Sequence, residues 1–510
     1  MRIQNEKKAG VILTYINLAI GFVIPFLYTP IMLRLMGQAE YGLYGLSNSV
    51  ISYLGLLSFG LGSAIVRYLM RCRTNNAEAE FNSMAGLFLL IYSIVAALSL
   101  VVGLGLTYGT STFFGKGLSQ EEVNRLNTLI VIMSLSTAIS FIASVFTSFI
   151  TCFERYVFLR ILALANTIAT PALNLVVLYY GMASVGLAIV SVCVQGIVCL
   201  IYFFYCRNVL GIRPTFRQMP LKQLKDIFRY SSFVFIGLIA DMLYWATDKV
   251  LIGAMLGTVS VAVYNVGGTF QSMLQNMSSA ISNVFTPEVN RSVVEQRPIT
   301  ELSALFVRIG RIQYLIVSLV LSGFTVFGQN FLVFWAGPGY EEAYTVAMLT
   351  MVPLAIPLIE SIAFTIIKAQ GTHQFRSVLY VVLAVANAVS TYFLIPVMGI
   401  VGAALCTCIV FVLGHGIIMN WFYYKKIGLD IPGFWKSIGK MSIVPGGMIA
   451  VGCWLVNNVL PMDSLWRFLA WVIVYTTVFA VLSWAFSMNR YEKDLILSLI
   501  RKVLPRKETK

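Results

Sequence analysis

Charged residues are scarce in this chain. Asp, Glu, Lys and Arg make up 11% of its 510 residues, whereas soluble domains carry about 25%. Only two histidines are present, and the eight cysteines form no C-x-x-C pair, so neither a metal site nor a disulfide framework is indicated. The formal net charge is +15, but the basic residues lie between apolar runs. Nucleic acid is therefore not the expected partner.

Long apolar runs fill the rest of the sequence, which is 58% hydrophobic with a mean hydropathy of +0.83. About 20 apolar residues span a bilayer as a helix, and continuous runs favour helices over the alternating strands of a barrel. We therefore predict an all-α polytopic membrane protein with fourteen transmembrane helices, at 10–35, 42–66, 82–108, 125–151, 159–180, 183–206, 228–256, 260–286, 310–335, 343–368, 375–397, 400–424, 441–460 and 466–488.

The basic residues predict the orientation of these helices. If the N-terminus is cytoplasmic, 31 of the 36 Lys and Arg residues lie on the cytoplasmic side, as the positive-inside rule requires. Both termini are then cytoplasmic. The first apolar run has no small-residue cleavage site, so we expect it to be a retained helix and not a signal peptide.

An internal repeat emerges when the sequence is shifted by 220 residues. Gly37 then matches Gly257, and Tyr44 matches Tyr264. Gly181 and Gly399 also resemble each other, since each opens the last helix of a six-helix unit. An even number of helices separates the copies, so they would be parallel repeats with a site at their interface. The predicted organisation is an N-lobe (1–206), a cytoplasmic amphipathic connection (207–229), a C-lobe (230–424), helices 13 and 14 (425–488) and a basic cytoplasmic tail (489–510).

Two segments resemble a known family. The stretch from Pro30 through Arg34 and Gly37 to Tyr44 is similar to the opening of bacterial polysaccharide flippases, which belong to the multidrug/oligosaccharidyl-lipid/polysaccharide exporter superfamily. The seventh helix, with Asp248 and Lys249 before a glycine turn, resembles that family's acid–base pair. The resemblance implies two six-helix lobes around a central cavity.

The same resemblance implies a function. It points to a transporter, not an enzyme, that moves undecaprenyl-diphosphate-linked oligosaccharide to the outer leaflet of the bacterial cytoplasmic membrane for cell-surface polysaccharide biosynthesis. A polysaccharide polymerase and chain-length machinery would then be partners. Related lipid II flippases also have fourteen helices, whereas drug and cation antiporters of the superfamily usually have twelve.

Ionisable residues inside the apolar helices are the main site candidates, since a charge at the bilayer centre costs at least ~2.5 kcal/mol. Asp241, Tyr244 and Asp248 share one helix face, which would meet sugar hydroxyls or a coupling cation in the cavity, or else bond structurally to a neighbouring helix. Glu360 lies at the centre of helix 10, with functional and structural roles both open. Lys368, two turns further, is long enough to reach the interface.

Cationic and polar residues complete the candidate set. Arg34 and Lys249, at the outer ends of helices 1 and 7, would bind a diphosphate or anchor helix ends at the interface. Three cations at inner helix ends would form a cytoplasmic entry site, although the positive-inside rule explains them more simply. The remaining candidates are a polar stripe on helix 8, which would recognise sugar or join helices, and two hinge prolines in helix 1. These three groups are Arg67, Arg308 and Arg311; Gln271, Gln275, Ser278, Ser279 and Asn283; and Pro25 and Pro30.

No nucleotide-binding motif appears in the sequence, so we expect no cofactor and no use of ATP. Moving an anion outward is favoured by ~2.3 kcal/mol per charge per 100 mV, and H⁺ or Na⁺ exchange through Asp241 or Glu360 is an alternative. We expect His373 and His415 to have packed or interfacial roles. The rival functions are a drug or cation antiporter, a lipid II-type flippase and, less favoured, a membrane polysaccharide polymerase.

Overall fold

A computed structural model describes residues 2–503, apart from 76, 218, 373, 461 and 463. The side chains of 2–12, 15, 18, 233, 241 and 499–503 also lie outside the described part. Two predictions fall there: His373, and the side chain of Asp241.

Every regular element of the described residues is helical, as predicted. The helices are α1 (Arg2–Met36), α2 (Gln38–Ser52), α3 (Leu61–Thr74), α4 (Glu78–Phe114), α5 (Gln120–Cys152), α6 (Tyr156–Tyr179), α7 (Ala183–Asn208), α8 (Leu224–Trp245), α9 (Thr247–Leu256), α10 (Thr258–Val294), α11 (Ile299–Trp335), α12 (Glu342–Ile359), α13 (Ser361–Ala369), α14 (Gln374–Phe411), α15 (Asn420–Phe422), α16 (Ile431–Met441), α17 (Ile443–Asn458), α18 (Leu465–Leu482) and α19 (Arg490–Val503). Wider π-helical turns cover Val412–Met419, Tyr423–Ile427 and Ser483–Ser487.

Twelve helical segments of the described residues are long and apolar enough to cross a membrane, so the chain is a multi-pass membrane protein. The number of candidate spans is smaller than the fourteen predicted transmembrane helices for two reasons. One segment runs over 54 residues, Gln374–Ile427, and contains the predicted helices 11 and 12. The 37-residue α10 is not among the twelve, because its amides and hydroxyls lower its hydropathy.

Several predicted spans are broken inside the helix. Helix 2 bends through left-handed Phe59 and Gly60, and helix 7 divides at Ala246 into α8 and α9. Helix 10 divides at Glu360 into α12 and α13. In a bilayer such breaks are tolerated where protein or water satisfies the freed backbone groups. The amphipathic stretch of the predicted connection forms a short 3₁₀ turn, Leu221–Gln223, followed by the first turns of α8.

The glycines that the repeat aligns share a backbone conformation. Gly37 and Gly257 have φ of 76° and 89°, and each separates two consecutive helices. Gly181 has φ of 77° and Gly399 has φ of 60°, and each lies in the gap between two consecutive predicted helices. Only glycine adopts such angles without strain, so the repeat pairs residues with the same backbone requirement.

The chain divides into two compact units, Met1–Asn265 with Ala384–Ala403, and Val266–Leu383 with Ala404–Lys510. A core of the first unit includes Leu61, Met84, Phe88 and Phe149, while a smaller core of the second gathers aromatic rings such as Phe327, Phe468 and Tyr475. The predicted N-lobe lies in the first unit, together with α8, α9 and the start of α10. The division into two six-helix lobes stays a prediction.

Candidate transport residues

Asp248 is a predicted site residue whose side chain makes several hydrogen bonds in the first unit. Its side chain is 3% exposed, and one carboxylate oxygen accepts a hydrogen bond from the Tyr264 hydroxyl at 2.8 Å. The other oxygen accepts from the Asn387 amide at 3.2 Å and the Thr391 hydroxyl at 3.3 Å. These donors come from α10 and α14, so Asp248 joins three helices through charge-assisted bonds.

The remaining predicted residues of the first unit lie near the same helix ends. Tyr244 is buried one turn before Asp248, while Lys249 is half-buried and Arg34 is exposed in the last turn of α1. A shared diphosphate site for these two cations stays a prediction.

Five glycines form a close helix contact in the first unit, which we call the glycine seam: Gly42, Gly45, Gly117, Gly253 and Gly257. A methyl group on Gly42 would overlap the carbonyl oxygen of Thr258 and lie 2.6 Å from its carbonyl carbon. One on Gly257 would lie 2.7 Å from the Gly117 carbonyl oxygen. Small residues let helix backbones approach this closely in membranes, so the seam locks α2 and the α4–α5 turn against α9 and α10.

Hydrogen bonds reinforce the glycine seam. The Thr258 hydroxyl donates to Glu122 at 2.6 Å, and Glu122 is also held by Ser119 in a capping box at the start of α5. Tyr53 and Thr247 share a hydrogen bond of 2.7 Å. These bonds join the predicted N-lobe to the beginning of the predicted C-lobe.

A second polar group ties α2 to α5 and α7 at the same end. Glu40 forms an ion pair with Arg125 and accepts a hydrogen bond from the Ser184 hydroxyl. Arg125 also pairs with Glu121 at 3.0 Å. These residues were not among the predicted candidates, because the charged ones lie at helix ends, where a solvated charge is ordinary.

The polar stripe of α10 divides into two rows in the second unit. Ser278 donates to the Leu358 carbonyl at 3.4 Å, and Ser282 and Ser361 share a bond of 2.8 Å. The Gln313 amide joins this cluster, accepting from Ser282 and donating to the Leu358 carbonyl at 2.6 Å. This row connects helices.

The other row of the stripe has a different environment. Ser279 and Asn283 are exposed, and Gln275 is half-buried. Gln271 is buried, and its amide nitrogen has no hydrogen-bond partner in the described residues. An unsatisfied buried amide costs free energy, so Gln271 is a residue that a ligand or water would stabilise.

Glu360 occupies the break between α12 and α13. Its side chain is 2% exposed, and both carboxyl oxygens lack hydrogen-bond partners among the described residues. Pro353 and Pro357 in α12 lack backbone N–H groups, which weakens the helix just before the break. Lys368, on α13, is exposed.

The predicted cytoplasmic cations have internal partners. Arg311 donates to both Glu492 oxygens, at 2.6 and 3.0 Å, to the Ser437 hydroxyl and to the Ser487 carbonyl. Its side chain is 12% exposed and that of Glu492 only 1%. Arg311 therefore secures α19, a helix that the sequence analysis described only as a basic tail.

The other two cations of that group are less enclosed. Arg308 pairs with Glu288 at 2.8 Å and lies 4.9 Å from the Tyr491 ring. Arg67 is exposed and lies 4.7 Å from the Tyr230 ring. Pro25 and Pro30 both fall within α1, which is continuous from Arg2 to Met36. Bending at these prolines stays a prediction.

Comparison with known proteins decides the family. The family described as polysaccharide biosynthesis protein matches residues 8–293, which is more than half of the chain. The chain belongs to this family. A candidate O-antigen transporter of Shigella flexneri is 18% identical over 414 residues, which cover 79% of this chain and 96% of that protein.

Solved structures agree on the fold of this family member. A lipid II flippase, MurJ in an inward closed conformation, has a TM-score of 0.69 and 13% identity, and the match covers 96% of this chain and 99% of that one. An inward-facing multidrug resistance MATE transporter of the MOP superfamily has a TM-score of 0.63 and 14% identity, covering 82% and 99%. The fold is therefore that of a MOP-type transporter, and these relatives are transporters and flippases, not enzymes.

Proposed function

We propose that this protein moves prenyl-diphosphate-linked oligosaccharide units across the bacterial cytoplasmic membrane by alternating access, with both termini in the cytoplasm. The observation that carries the proposal is the family match over residues 8–293. The likeness to a candidate O-antigen transporter supports the substrate class. The charge pattern of the loops supports the orientation.

The glycine seam supports alternating access. It closes α2 against α9 and α10 through backbone contacts and hydrogen bonds, and alternating access requires such a packed contact to have an open and a closed arrangement. In the proposed orientation the seam lies towards the outer leaflet, because Gly37 and Gly257 follow the outer ends of the predicted helices 1 and 7. The structure would then represent a state closed on the outer side.

Arg34 and Lys249 are the groups we propose for the diphosphate. Arg offers a bidentate fork to phosphate oxygens, and Lys a compact charge. In the Arg34→Gln and Lys249→Gln variants we expect weaker binding of a prenyl diphosphate, by about tenfold or more for each lost charge-assisted bond. Lys116→Gln is the matched control, because Lys116 is an exposed cation in the α4–α5 turn. Equal loss in all three variants would contradict a specific site.

Reconstitution tests the function itself. Proteoliposomes containing defined prenyl-diphosphate oligosaccharides are scored separately for transfer between leaflets and for covalent change. We expect transfer without covalent change. Chain extension would indicate a polymerase, and cation-dependent efflux of small drugs without lipid transfer would indicate an antiporter. Transfer of lipid II alone would indicate the second flippase class, whose solved member covers 96% of this chain.

A further inference from the structure

Glu360 is a buried acid that the proposed substrate path does not use. The backbone at Glu360 has φ of −94° and ψ of 6°, so the residue interrupts the helix between Ile359 and Ser361. Both carboxyl oxygens lie inside the protein without a hydrogen-bond donor in the described residues. An ionised carboxylate is strongly destabilised in such a place, whereas a neutral acid is tolerated.

Two donors face this carboxyl group but are engaged elsewhere. Asn420 and Trp435 approach Glu360, and the Trp435 indole N–H donates to the Asn420 side-chain oxygen at 3.0 Å. The Asn420 amide nitrogen donates to the carbonyls of His415 and Gly416 at 2.9 and 3.2 Å. Both carbonyls belong to the π-helical segment Val412–Met419, so Asn420 bridges this segment to Trp435.

The π-helical segment is fixed from its other side by a second chain of contacts. His415 is 3% exposed, and its Nε2 shares a hydrogen bond of 2.8 Å with the Tyr380 hydroxyl. The Tyr380 hydroxyl accepts from Arg376 at 3.0 Å. Arg376 in turn lies 3.5 Å from the centre of the Phe364 ring on α13. The π-helical segment is thus held between α13 and the Asn420–Trp435 pair, which both border Glu360.

Charged and titratable groups on the surrounding helices of the second unit are already engaged or exposed. Arg308 pairs with Glu288 and Arg311 with Glu492, while Lys368, Lys436 and Lys440 are exposed at helix surfaces. The buried Tyr423 side chain is close enough to interact electrostatically with both Glu360 and Arg376, and His415 bonds to Tyr380. The described part of the chain shows no cluster of three His, Cys, Asp or Glu residues around a metal-sized site.

We propose that Glu360 is a proton-binding site whose ionisation rearranges the π-helical segment Val412–Met419. When the carboxyl O–H bond breaks, the proton leaves for water and the new carboxylate recruits the two donors that face it, the Asn420 amide and the Trp435 indole. The carbonyls of His415 and Gly416 lose their side-chain donor, so the link between the π-helical segment and Trp435 is released. Binding of a proton restores the present arrangement. Only the assignment of this proton to a transport cycle rests on the proposed function.

Infrared spectroscopy tests the proton site without any lipid-linked substrate. The full-length protein in proteoliposomes is titrated with acid and base in normal and heavy water, as wild type and as Glu360→Gln. We expect a protonated-carboxyl band at neutral pH that shifts in heavy water, disappears at alkaline pH and is absent from Glu360→Gln. If the two proteins show the same carboxyl bands, the proposal is wrong. Glu360→Asp, which keeps the acid, should retain a shifted band even if Glu360→Gln folds poorly.

Amide hydrogen exchange tests the coupling to the π-helical segment. On ionisation of Glu360 we expect exchange within 412–419 to accelerate by up to about tenfold beyond its intrinsic pH dependence, the factor of one lost hydrogen bond. Glu360→Gln should abolish this extra acceleration. Trp435→Phe removes the indole donor and should extend the protonated range to higher pH, whereas Trp421→Phe, at an exposed tryptophan, should not. Equal acceleration in wild type and Glu360→Gln would assign the effect to another group such as His415 and refute the coupling.

Failure of this proposal and failure of the proposed function can be told apart. If lipid is transferred in proteoliposomes but the carboxyl spectrum of Glu360→Gln is unchanged, the proposed flippase function is supported and the proton site is refuted. If Glu360 titrates but the protein transfers no prenyl-diphosphate oligosaccharide, the proton site is supported and the proposed flippase function is refuted.

Discussion

Substitution of Gly42 by alanine is the most direct perturbation of the glycine seam. The added methyl group would lie 2.6 Å from the Thr258 carbonyl carbon, whereas ordinary contacts begin at 3.4 Å. Backbone atoms on both sides leave no flexible side chain to absorb the difference. The overlap with the Thr258 carbonyl oxygen is larger still, so the two helices must separate by more than an ångström, or the variant must abandon the closed seam.

The size of the effect follows from two opposing terms. Overpacking costs about 1–3 kcal/mol, and it acts only on the state in which the seam is closed. Replacing glycine by alanine inside a helix contributes about 1 kcal/mol in favour of folding, and it acts on open and closed states alike. We therefore expect Gly42→Ala to shift the closed–open equilibrium by about 5- to 150-fold without unfolding the protein.

Distance measurements between spin labels can detect this shift. In a background with the eight native cysteines replaced, labels at the exposed positions Ala39 and Val259 report the separation of α2 from the start of α10. We expect a new population at longer distance in Gly42→Ala. Gly105→Ala is the matched control, because Gly105 is also helical and has nothing within 4 Å of the added methyl group.

Two results would refute the reasoning about the glycine seam. The first is an unchanged distance distribution in Gly42→Ala, which would mean that the helices absorb the methyl group in place. The second is an equal change in Gly105→Ala, which would assign the effect to helix propensity instead of close packing.

Two further predictions concern the hydrogen bonds around this contact and the anchor of α19. Thr258→Val keeps the side-chain shape but removes the donor to Glu122, and we expect a loss of about 1.5–3 kcal/mol from the closed seam, read from the same label distances; no change would show that the bond is not needed. Arg311→Leu leaves the buried Glu492 carboxylate without its cation, and we expect it to lower the free energy of unfolding by about 3–5 kcal/mol. The loss is measured as a lower thermal midpoint and as earlier proteolytic release of α19. The double variant with Glu492→Leu should recover part of the lost stability. Equal stability of the single and double variants would contradict the ion-pair account.

Membrane class and helix positions were largely predictable, because they depend on local properties. A run of about 20 apolar residues can satisfy its backbone in lipid only as a helix, whatever its neighbours are. The four glycines that the repeat aligned were likewise identified in advance, because a backbone with φ above 0° selects glycine at each one. The breaks at Phe59 and Ala246 were missed, since neither residue carries a breaking signal.

The roles of individual polar residues were decided by the tertiary structure. Asp248, Arg311 and Glu360 are all charged residues in or beside apolar segments, and for each of them the sequence leaves a functional and a structural role open. Folding gives Asp248 three neutral donors from α10 and α14, and gives Arg311 a buried carboxylate 181 positions away in the chain. Glu360 receives no donor among the described residues.

The glycine seam shows the same limit. Gly42 and Thr258 are unremarkable residues until helices far apart in sequence bring their backbones together. The local sequence therefore determined which segments are helices in a membrane, since burial of apolar groups and backbone hydrogen bonding are settled within a segment. Which charge is neutralised, and which glycine is indispensable, depends on partners that only packing supplies.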